Sequence, residues 1–352
     1  MALSNTPANP LRIGVLGCAN IAKQFVRDVA DSPQVQVVAA ASRKLETATE
    51  FAKPLGIARC YGSYEALLAD ADVDAIYLPL PNSMHAEWAI KAAQAGKHIL
   101  CEKPLALGAV QAASMFDAAR KHKVMLLEAY PYYFQPQTGA MVDLLLQGAI
   151  GSVRSVQASF GFTLGNPQNN IRMKPELGGG ALLDAGSYAL SVIRLAIGCA
   201  PVRVMADASW ADAGVDISMM ATLHYADGRR AQLSCAMDAA NHRRATIVGS
   251  TGTLETEYLN HTTTPGTVSP YGHLPSQLRV RRGIANSVPF EEIVTATGSG
   301  FRFAAEAFAT VVRAQDFAAI ERAAQASLDN AATLEAIASS ARMGQKVEVS
   351  VC

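Results

Sequence analysis

The stretch Leu11-Arg12-Ile13-Gly14-Val15-Leu16-Gly17-Cys18-Ala19-Asn20-Ile21-Ala22 decides the fold of this chain. An apolar run of strand length ends at Leu16, a glycine and small residues follow, and a helical period begins at Ile21. Gly17, Ala19 and Ala22 stand in the three glycine slots of a dinucleotide fingerprint. Gly17 permits the tight turn, a small residue at 19 lets backbone N–H groups approach a pyrophosphate, and Ala22 allows close helix–strand packing. Cys18 reads as a small filler of this loop rather than a reactive thiol. With Asn20 and Ile21 it completes the set of candidate phosphate contacts. Two alanines in glycine slots make the motif weak alone, since a plain βα turn accommodates the same residues.

Outward from this stretch the two periods keep alternating. Short β-rich runs at Val35–Ala41, Ala75–Leu80, His98–Cys101 and Val124–Leu127 alternate with helical segments at Ile21–Ala30, Leu45–Leu55, Tyr64–Leu68, Glu87–Ala95 and Val110–Lys121. That order predicts βαβ units on a parallel sheet, and the unbroken apolar runs predict strands covered on both faces. Residues 1–130 are therefore expected to form a dinucleotide-binding Rossmann domain. At the end of its second strand stands Ala41-Ser42-Arg43-Lys44, with no acid before Glu46. An NAD site places a carboxylate there for the ribose 2′-hydroxyl, whereas Ser42, Arg43 and Lys44 suit a 2′-phosphate, which a guanidinium grips with two hydrogen bonds. The expected cofactor is NADP(H), tightly held or exchanging. The alternative for these residues is a solvated basic helix start.

From about Met141 the pattern changes. A helix at Met141–Gln147 precedes an alternating run at Val153–Phe162, a Gly/Pro/Asn-rich loop and a helix over Ala181–Ile197. Strand-like runs follow at Val202–Ser209, Ile217–Tyr225, Arg230–Met237, Ala245–Val248 and Thr253–Glu257, separated by turn residues. Arg279, Arg281 and Arg282 read as a solvated edge strand in preference to a phosphate patch. Helices at Phe303–Ala314 and Ala324–Met343 and a strand at Lys346–Val351 close the chain. The expected class is α/β: an N-terminal Rossmann doubly wound parallel sheet, then a C-terminal α+β domain over 131–352 on an open, mainly antiparallel sheet. The closing helices are expected to pack back toward the first domain.

Composition narrows the function. The 352 residues carry 30 Lys+Arg against 30 Asp+Glu, and 50% are hydrophobic, enough for two globular cores. Zero net charge removes steering toward nucleic acid or an anionic membrane as the main theme. No apolar run was found that approaches a membrane helix, and Met1–Pro10 has neither a basic nor an apolar leader, so a cytoplasmic protein is expected. Six scattered cysteines without a C-x-x-C pair suggest neither a metal site nor a disulfide framework.

The chemistry concentrates after the fifth strand of the expected sheet, at Cys101-Glu102-Lys103-Pro104-Leu105. Carboxyl ends of strands face the ligand crevice in such sheets, so Lys103 is aimed at a nicotinamide, where partial desolvation would let it exchange protons near neutrality. Far downstream, Leu177-Gly178-Gly179-Gly180-Ala181-Leu182-Leu183-Asp184-Ala185-Gly186-Ser187-Tyr188 gives a close-approach loop and a helix start. Asp184 and Tyr188 are i and i+4 and share a helix face.

These segments, with Pro79–His85, resemble the glucose–fructose oxidoreductase/inositol dehydrogenase family over nearly the whole chain. The resemblance implies a nicotinamide cofactor in the first domain and a sugar or polyol substrate between the two. Tyrosine at 188, where many members have histidine, resembles the branch of dimeric dihydrodiol dehydrogenase, D-xylose dehydrogenase and aldose oxidoreductases. It implies that Lys103 and Tyr188 handle the proton and Asp184 orients the substrate. Leu78, Pro79, Leu80, Asn82 and Glu102 would line the cofactor path and His85 would stand beside the nicotinamide, although a lone histidine at a helix start reads equally well as structural. Arg172 is a weaker candidate for contacting substrate or cofactor. Tyr133 and Phe160 would offer aromatic surface to a sugar's C–H face, although Tyr133 and its aromatic neighbours read equally well as packing. An NADP-dependent aldose oxidoreductase is the leading expectation, with a second sugar reduced in alternation if cofactor stays bound. A trans-dihydrodiol dehydrogenase and a non-catalytic NADP-sensing regulator are the alternatives. A homodimer or homotetramer through the open sheet is expected. Of the two faces of Val153–Phe162, the one bearing Val156, Ala158 and Phe160 is expected to bury itself in that contact.

Overall fold

The computed structural model describes residues 9–264, 266–267, 273–275 and 277–350. Val351, the expected end of the closing strand, lies outside them, as do Cys352 and the expected leaderless start through Ala8. The described chain divides into two compact units, one of residues 9–105, 113–129 and 301–324, the other of 106–112, 130–300 and 325–350. Residues 301–324 thus group with the dinucleotide-binding fold, which a single cut at 130 does not capture.

The first unit holds six parallel strands: β1 (Leu11–Leu16), β2 (Val35–Ala41), β3 (Arg59–Tyr61), β4 (Ala75–Leu78), β5 (His98–Glu102) and β6 (Leu126–Ala129). Their order is β3-β2-β1-β4-β5-β6, so the chain reverses direction across the sheet beside β1. The helices are α1 (Asn20–Val29), α2 (Leu45–Ala52), α3 (Tyr64–Leu68), α4 (His85–Gln94), α5 (Ala109–Lys121, whose first turn belongs to the other unit) and, closing the fold, α8 (Gly300–Ala314). Helix α1 buries Ala22, Phe25, Val26 and Val29, an i, i+3, i+4, i+7 stripe. Phe25 stacks on Tyr77 of β4 with centroids 3.9 Å apart, and the Tyr77 hydroxyl donates to Glu102 Oε1 at 2.6 Å. This chain of contacts fixes the phosphate-loop helix against the end of β5. Helix α8 is held in the same unit by Ser32 Oγ donating to Glu306 at 2.7 Å and Arg313 reaching the Gln34 carbonyl at 2.5 Å.

The second unit is built on a nine-stranded sheet. Its strands are β7 (Val153–Thr163), β8 (Arg203–Trp210), β9 (Asp216–His224), β10 (Arg230–Ala236), β11 (Asp238–Gly249), β12 (Gly252–Glu257), β15 (Gln277–Arg282), β16 (Glu291–Glu292) and β17 (Val347–Glu348); β13 (Thr262–Thr263) and β14 (Leu274–Pro275) form a separate ribbon. The order is β16-β15-β12-β11-β7-β10-β9-β8-β17, antiparallel throughout except for β10 on β7. Helices α6 (Pro136–Leu146), α7 (Ser187–Ile197) and the second part of α9 (Phe317–Met343) belong to this unit. The arginines of β15 lie in a paired strand next to the edge, with Arg279 on Glu255 at 2.6 Å and Arg282 on Glu291.

Two expectations are corrected here. The apolar face of β7 is not left for a second subunit: Val156 and Ala158 are buried in this unit's own core with Tyr188, Val192 and Ile193 of α7, and Phe160 packs against it. The uncovered face is the opposite one, where Met220 is 71% exposed among Gln157, Thr222, Gln232 and Ser234. The second correction concerns Pro175–Ile197, which by length and composition is apolar enough to cross a membrane; 78% of its window is buried as core.

Candidate active site

In the first unit the nucleotide loop is shaped by backbone. Gly17 N–H donates to the Ala41 carbonyl at 3.1 Å, tying the turn to the end of β2. Its φ of +123° lies where side-chain-bearing residues are strained, and a Cβ there would stand 2.6 Å from Leu80 Cδ2. Ala19 takes the N-cap position of α1 with no side chain capping the helix, and Asn20 and Ile21 are exposed at its mouth. An open glycine turn running into an uncapped helix N-terminus suits a pyrophosphate, because the first helical N–H groups and the macrodipole both favour an anion. Cys18 is half-buried with its Sγ 3.6 Å from the Ala41 carbonyl, and burial, with Cys60 nearby, pushes its thiol up to about 11. It is therefore a neutral filler. Beyond β2, Ser42 is half-buried and Arg43 and Lys44 are exposed. Among the described residues no carboxylate pairs with Arg43 or Lys44, so both cations stand ready for an anion. The residues present fit a dinucleotide with a phosphorylated ribose.

Leu78, Pro79 and Leu80 are buried where β4 ends, and Asn82 opens a half-buried turn. His85 has two readings open, and its surroundings favour the structural one. It has no exposed surface, and its ring nitrogens lie 2.9 Å from the Pro104 carbonyl and 2.8 Å from the Leu80 carbonyl. Burial lowers its pKa, and the charge of Lys103 works the same way against those two carbonyls. The imidazole thus staples the Pro79–His85 loop to the turn after β5. Glu128 supports that turn from β6, accepting the Leu105 N–H at 2.8 Å. Lys103 sits half-buried at the carboxyl end of β5, next to buried Glu102.

In the second unit the site is shaped by side chains. The glycine run exists because the backbone of residues 172–174 and the side chain of Asp216 crowd against it. A Cβ on Gly179 would meet the Arg172 carbonyl at 2.4 Å, and one on Gly180, whose φ is +112°, would meet Asp216 Oδ1 at 2.1 Å. Buried Asp216 accepts the Leu182 N–H at 2.6 Å, and its burial raises its pKa against that hydrogen bond. The helix expected from Ala181 begins instead as a π turn over Leu182–Gly186, and α7 starts only at Ser187. Such turns close i→i+5, so Asp184 and Tyr188 do not present the even α-helical face that their spacing suggests. Each has its own partner. Arg172 Nε donates to Asp184 Oδ2 at 2.6 Å, and although burial opposes its charge, Asp184 and Tyr188 raise its pKa. Arg172 therefore holds Asp184 across the loop.

Tyr188 is 4% exposed, with its ring walled by Tyr130, Tyr132 and Phe160 at centroid distances of 5.4, 5.9 and 5.5 Å. The edge-to-face pairs with Tyr130 and Phe160 contribute about 0.5–1.5 kcal/mol each beyond their burial. Its hydroxyl accepts a hydrogen bond from Asn260 Nδ2 at 3.0 Å. Phe160, expected on the substrate side, is brought to Tyr188. Tyr133 is not: it is 48% exposed against Phe134, and its neighbours Tyr130 and Tyr132 make the wall. Arg243 and Asn260 escaped the sequence reading. Arg243 lies opposite Phe160 in the β11–β7 register, so its guanidinium stacks 3.8 Å above that ring and 4.8 Å from the Tyr188 ring. Extending the Ala245–Val248 run back through His242-Arg243-Arg244 would have found it.

Two family models match: an oxidoreductase family with an NAD-binding Rossmann fold over residues 11–130, and a GFO/IDH/MocA C-terminal domain over 139–255. A D-xylose 1-dehydrogenase (NADP(+)) of Haloferax volcanii is 35% identical over 96% of this chain and all of its own. A 3-ketoreductase from Actinomadura kijaniata, solved with NADP and TDP-benzene, is 33% identical with a TM-score of 0.83 over 94% of this chain and 98% of its own. An aldose–aldose oxidoreductase from Caulobacter crescentus, solved with glycerol, is 25% identical with a TM-score of 0.83 over 97% of this chain and all of its own.

Proposed function

The chain belongs to the GFO/IDH/MocA oxidoreductase family, and from that premise we propose an NADP(H)-dependent enzyme that moves hydride between nicotinamide and a sugar carbon, oxidising an aldose at C1. The observation that carries the reading is the buried Tyr188, whose hydroxyl is fixed by Asn260 inside a wall of aromatic rings. An O–H so held serves an apolar-sided, hydroxyl-rich substrate, and a regulator that only sensed cofactor would have no use for it. Bound cofactor would supply the hydride acceptor. The protein's own groups would orient the sugar and move the proton: Tyr188 and Lys103 at the reacting oxygen, Asp184 on a neighbouring hydroxyl, Arg172 keeping Asp184 in place.

Preference for NADP(H) is supported by Ser42, Arg43 and Lys44 at the end of β2 with no acid among them. Identity to an NADP(+)-dependent xylose dehydrogenase supports the same substrate class. Reduction of a ketosugar would run the same hydride and proton transfers in the opposite direction at a different carbon, with neutral Tyr188 donating the proton. The expected assembly is a homodimer or homotetramer that covers the open sheet face around Met220. Initial rates on D-xylose and D-glucose with NADP⁺ and NAD⁺ test the proposal. Aldose oxidation with NADP⁺ well above that with NAD⁺ is expected; no oxidation of either sugar with either cofactor would sink it.

A further inference from the structure

Tyr188 does not meet Asn260 by chance of rotamer. The Asn260 amide is oriented by Arg243, whose Nη1 donates to Asn260 Oδ1 at 3.2 Å. Because a guanidinium can only donate, Oδ1 must face it, and the NH₂ group must face the Tyr188 hydroxyl. The Asn260 backbone is equally fixed: its carbonyl accepts from Gln135 Nε2 at 2.8 Å and from Gly300 N at 2.8 Å, and Gln135 is buried. The phenolic oxygen is thus held as an acceptor, and its own proton must point elsewhere. Above the ring lies Arg243, which has no carboxylate partner among the described residues. We propose that Arg243 and Asn260 are positioning residues for Tyr188, aiming its oxygen and favouring its ionised form, so that the phenolate is accessible as the proton acceptor in sugar oxidation.

The inference rests on the acid–base role proposed above for Tyr188. Among the described residues of this unit, the charged and titratable groups around that ring include Arg243 on β11, Arg172 in the loop before the glycine run, Asp184 at the π turn, Tyr130 and Tyr132 before α6, and Tyr258 after β12. Arg172 is already balanced by the Asp184 carboxylate, whereas Arg243 has no carboxylate partner among the described residues. A donor on the phenolic oxygen and a cation at its ring both stabilise the charged form over the neutral one.

A titration needing no substrate tests this. The tyrosinate absorbance of the full-length protein is followed against pH, and the curve for Tyr188→Phe is subtracted to leave the signal of Tyr188. Repeating the pair in Asn260→Leu and Arg243→Gln backgrounds should move its midpoint up by about one pH unit, a tenfold change in ionisation constant. Arg243→Lys, which keeps the charge, should move it less than Arg243→Gln and guards against a folding artefact. A midpoint unmoved in both backgrounds overturns the inference. The outcome is separable from the proposed function: full turnover by Tyr188→Phe would remove the tyrosine from catalysis, whereas an inactive Tyr188→Phe with unmoved midpoints would remove only Asn260 and Arg243.

Discussion

The nucleotide loop of the first unit and the tyrosine site of the second are held together by different parts of the chain. The loop is made of backbone and methyl groups: Gly17, Ala19 and Ala22 leave a turn and an uncapped helix end, and its functional atoms are N–H groups. The tyrosine site is made of side chains from Phe160, Arg172, Tyr188, Arg243 and Asn260, which lie on five separate segments. A backbone site should fail when a Cβ is added, and a side-chain site when a polar atom is removed. In ligand binding and turnover, as distinct from stability, the two sites therefore respond to opposite kinds of substitution.

The largest stability effect should come from the glycine on which the second site turns. Gly180→Ala puts a Cβ 2.1 Å from Asp216 Oδ1 at a φ of +112°, and Asp216 is buried and bonded to Leu182. Overpacking and backbone strain together should cost about 2–4 kcal/mol, read from urea unfolding midpoints. Gly17→Ala should cost less in stability, because the atom in its way is the end of a leucine side chain, yet it should weaken dinucleotide binding more than Gly180→Ala does. If Gly17→Ala bound NADP(H) normally, the loop would not be the backbone cradle described here.

Next in size is the cofactor's ribose end. Arg43→Ala should weaken NADP(H) binding by about 1.5–3 kcal/mol, the range for hydrogen bonds to charged groups, and NAD(H) binding far less. Equal losses for both nucleotides would remove the 2′-phosphate assignment. Arg43 is the exception to the backbone rule in the first unit, which makes it the sharpest single test of that rule.

The smallest effect concerns pH. Burial raises the Asp216 carboxyl above its ordinary value despite the Leu182 N–H. The folded chain therefore holds this proton more tightly than the unfolded one, and the group costs stability progressively as pH rises from about 4 through its folded pKa. Asp216→Asn keeps an oxygen for Leu182 and removes that titration. Its unfolding free energy should gain on the wild type as pH rises across this window; a constant difference would show that Asp216 is not strained by its burial.

The same contrast explains what could be read in advance. The nucleotide loop was legible because its residues are consecutive, and because β1 and α1 carry unbroken apolar periodicity. Strand β3 was missed since Arg59, Cys60 and Tyr61 are only half-buried and carry no alternation. The first half of β11 was missed because a register shift between Asp238 and His242 breaks its pattern. With that half went Arg243. Asn260 follows β12 in a loop, where one asparagine resembles any turn residue until its partners are known. The π turn could not be anticipated either, since the distortion comes with Gly180 and Asp216, which lie 36 residues apart in sequence.

The division of labour between the two sites is put to the test by NADP⁺ affinity and the single-turnover rate of hydride transfer from D-xylose, measured side by side for wild type and Tyr188→Phe. General acid–base catalysis contributes about 10²–10⁴-fold. Tyr188→Phe should slow the hydride step by that factor, with NADP⁺ affinity changed by less than about twofold. A hydride step left near the wild-type rate, or a loss of NADP⁺ affinity as large as the loss in rate, would contradict it.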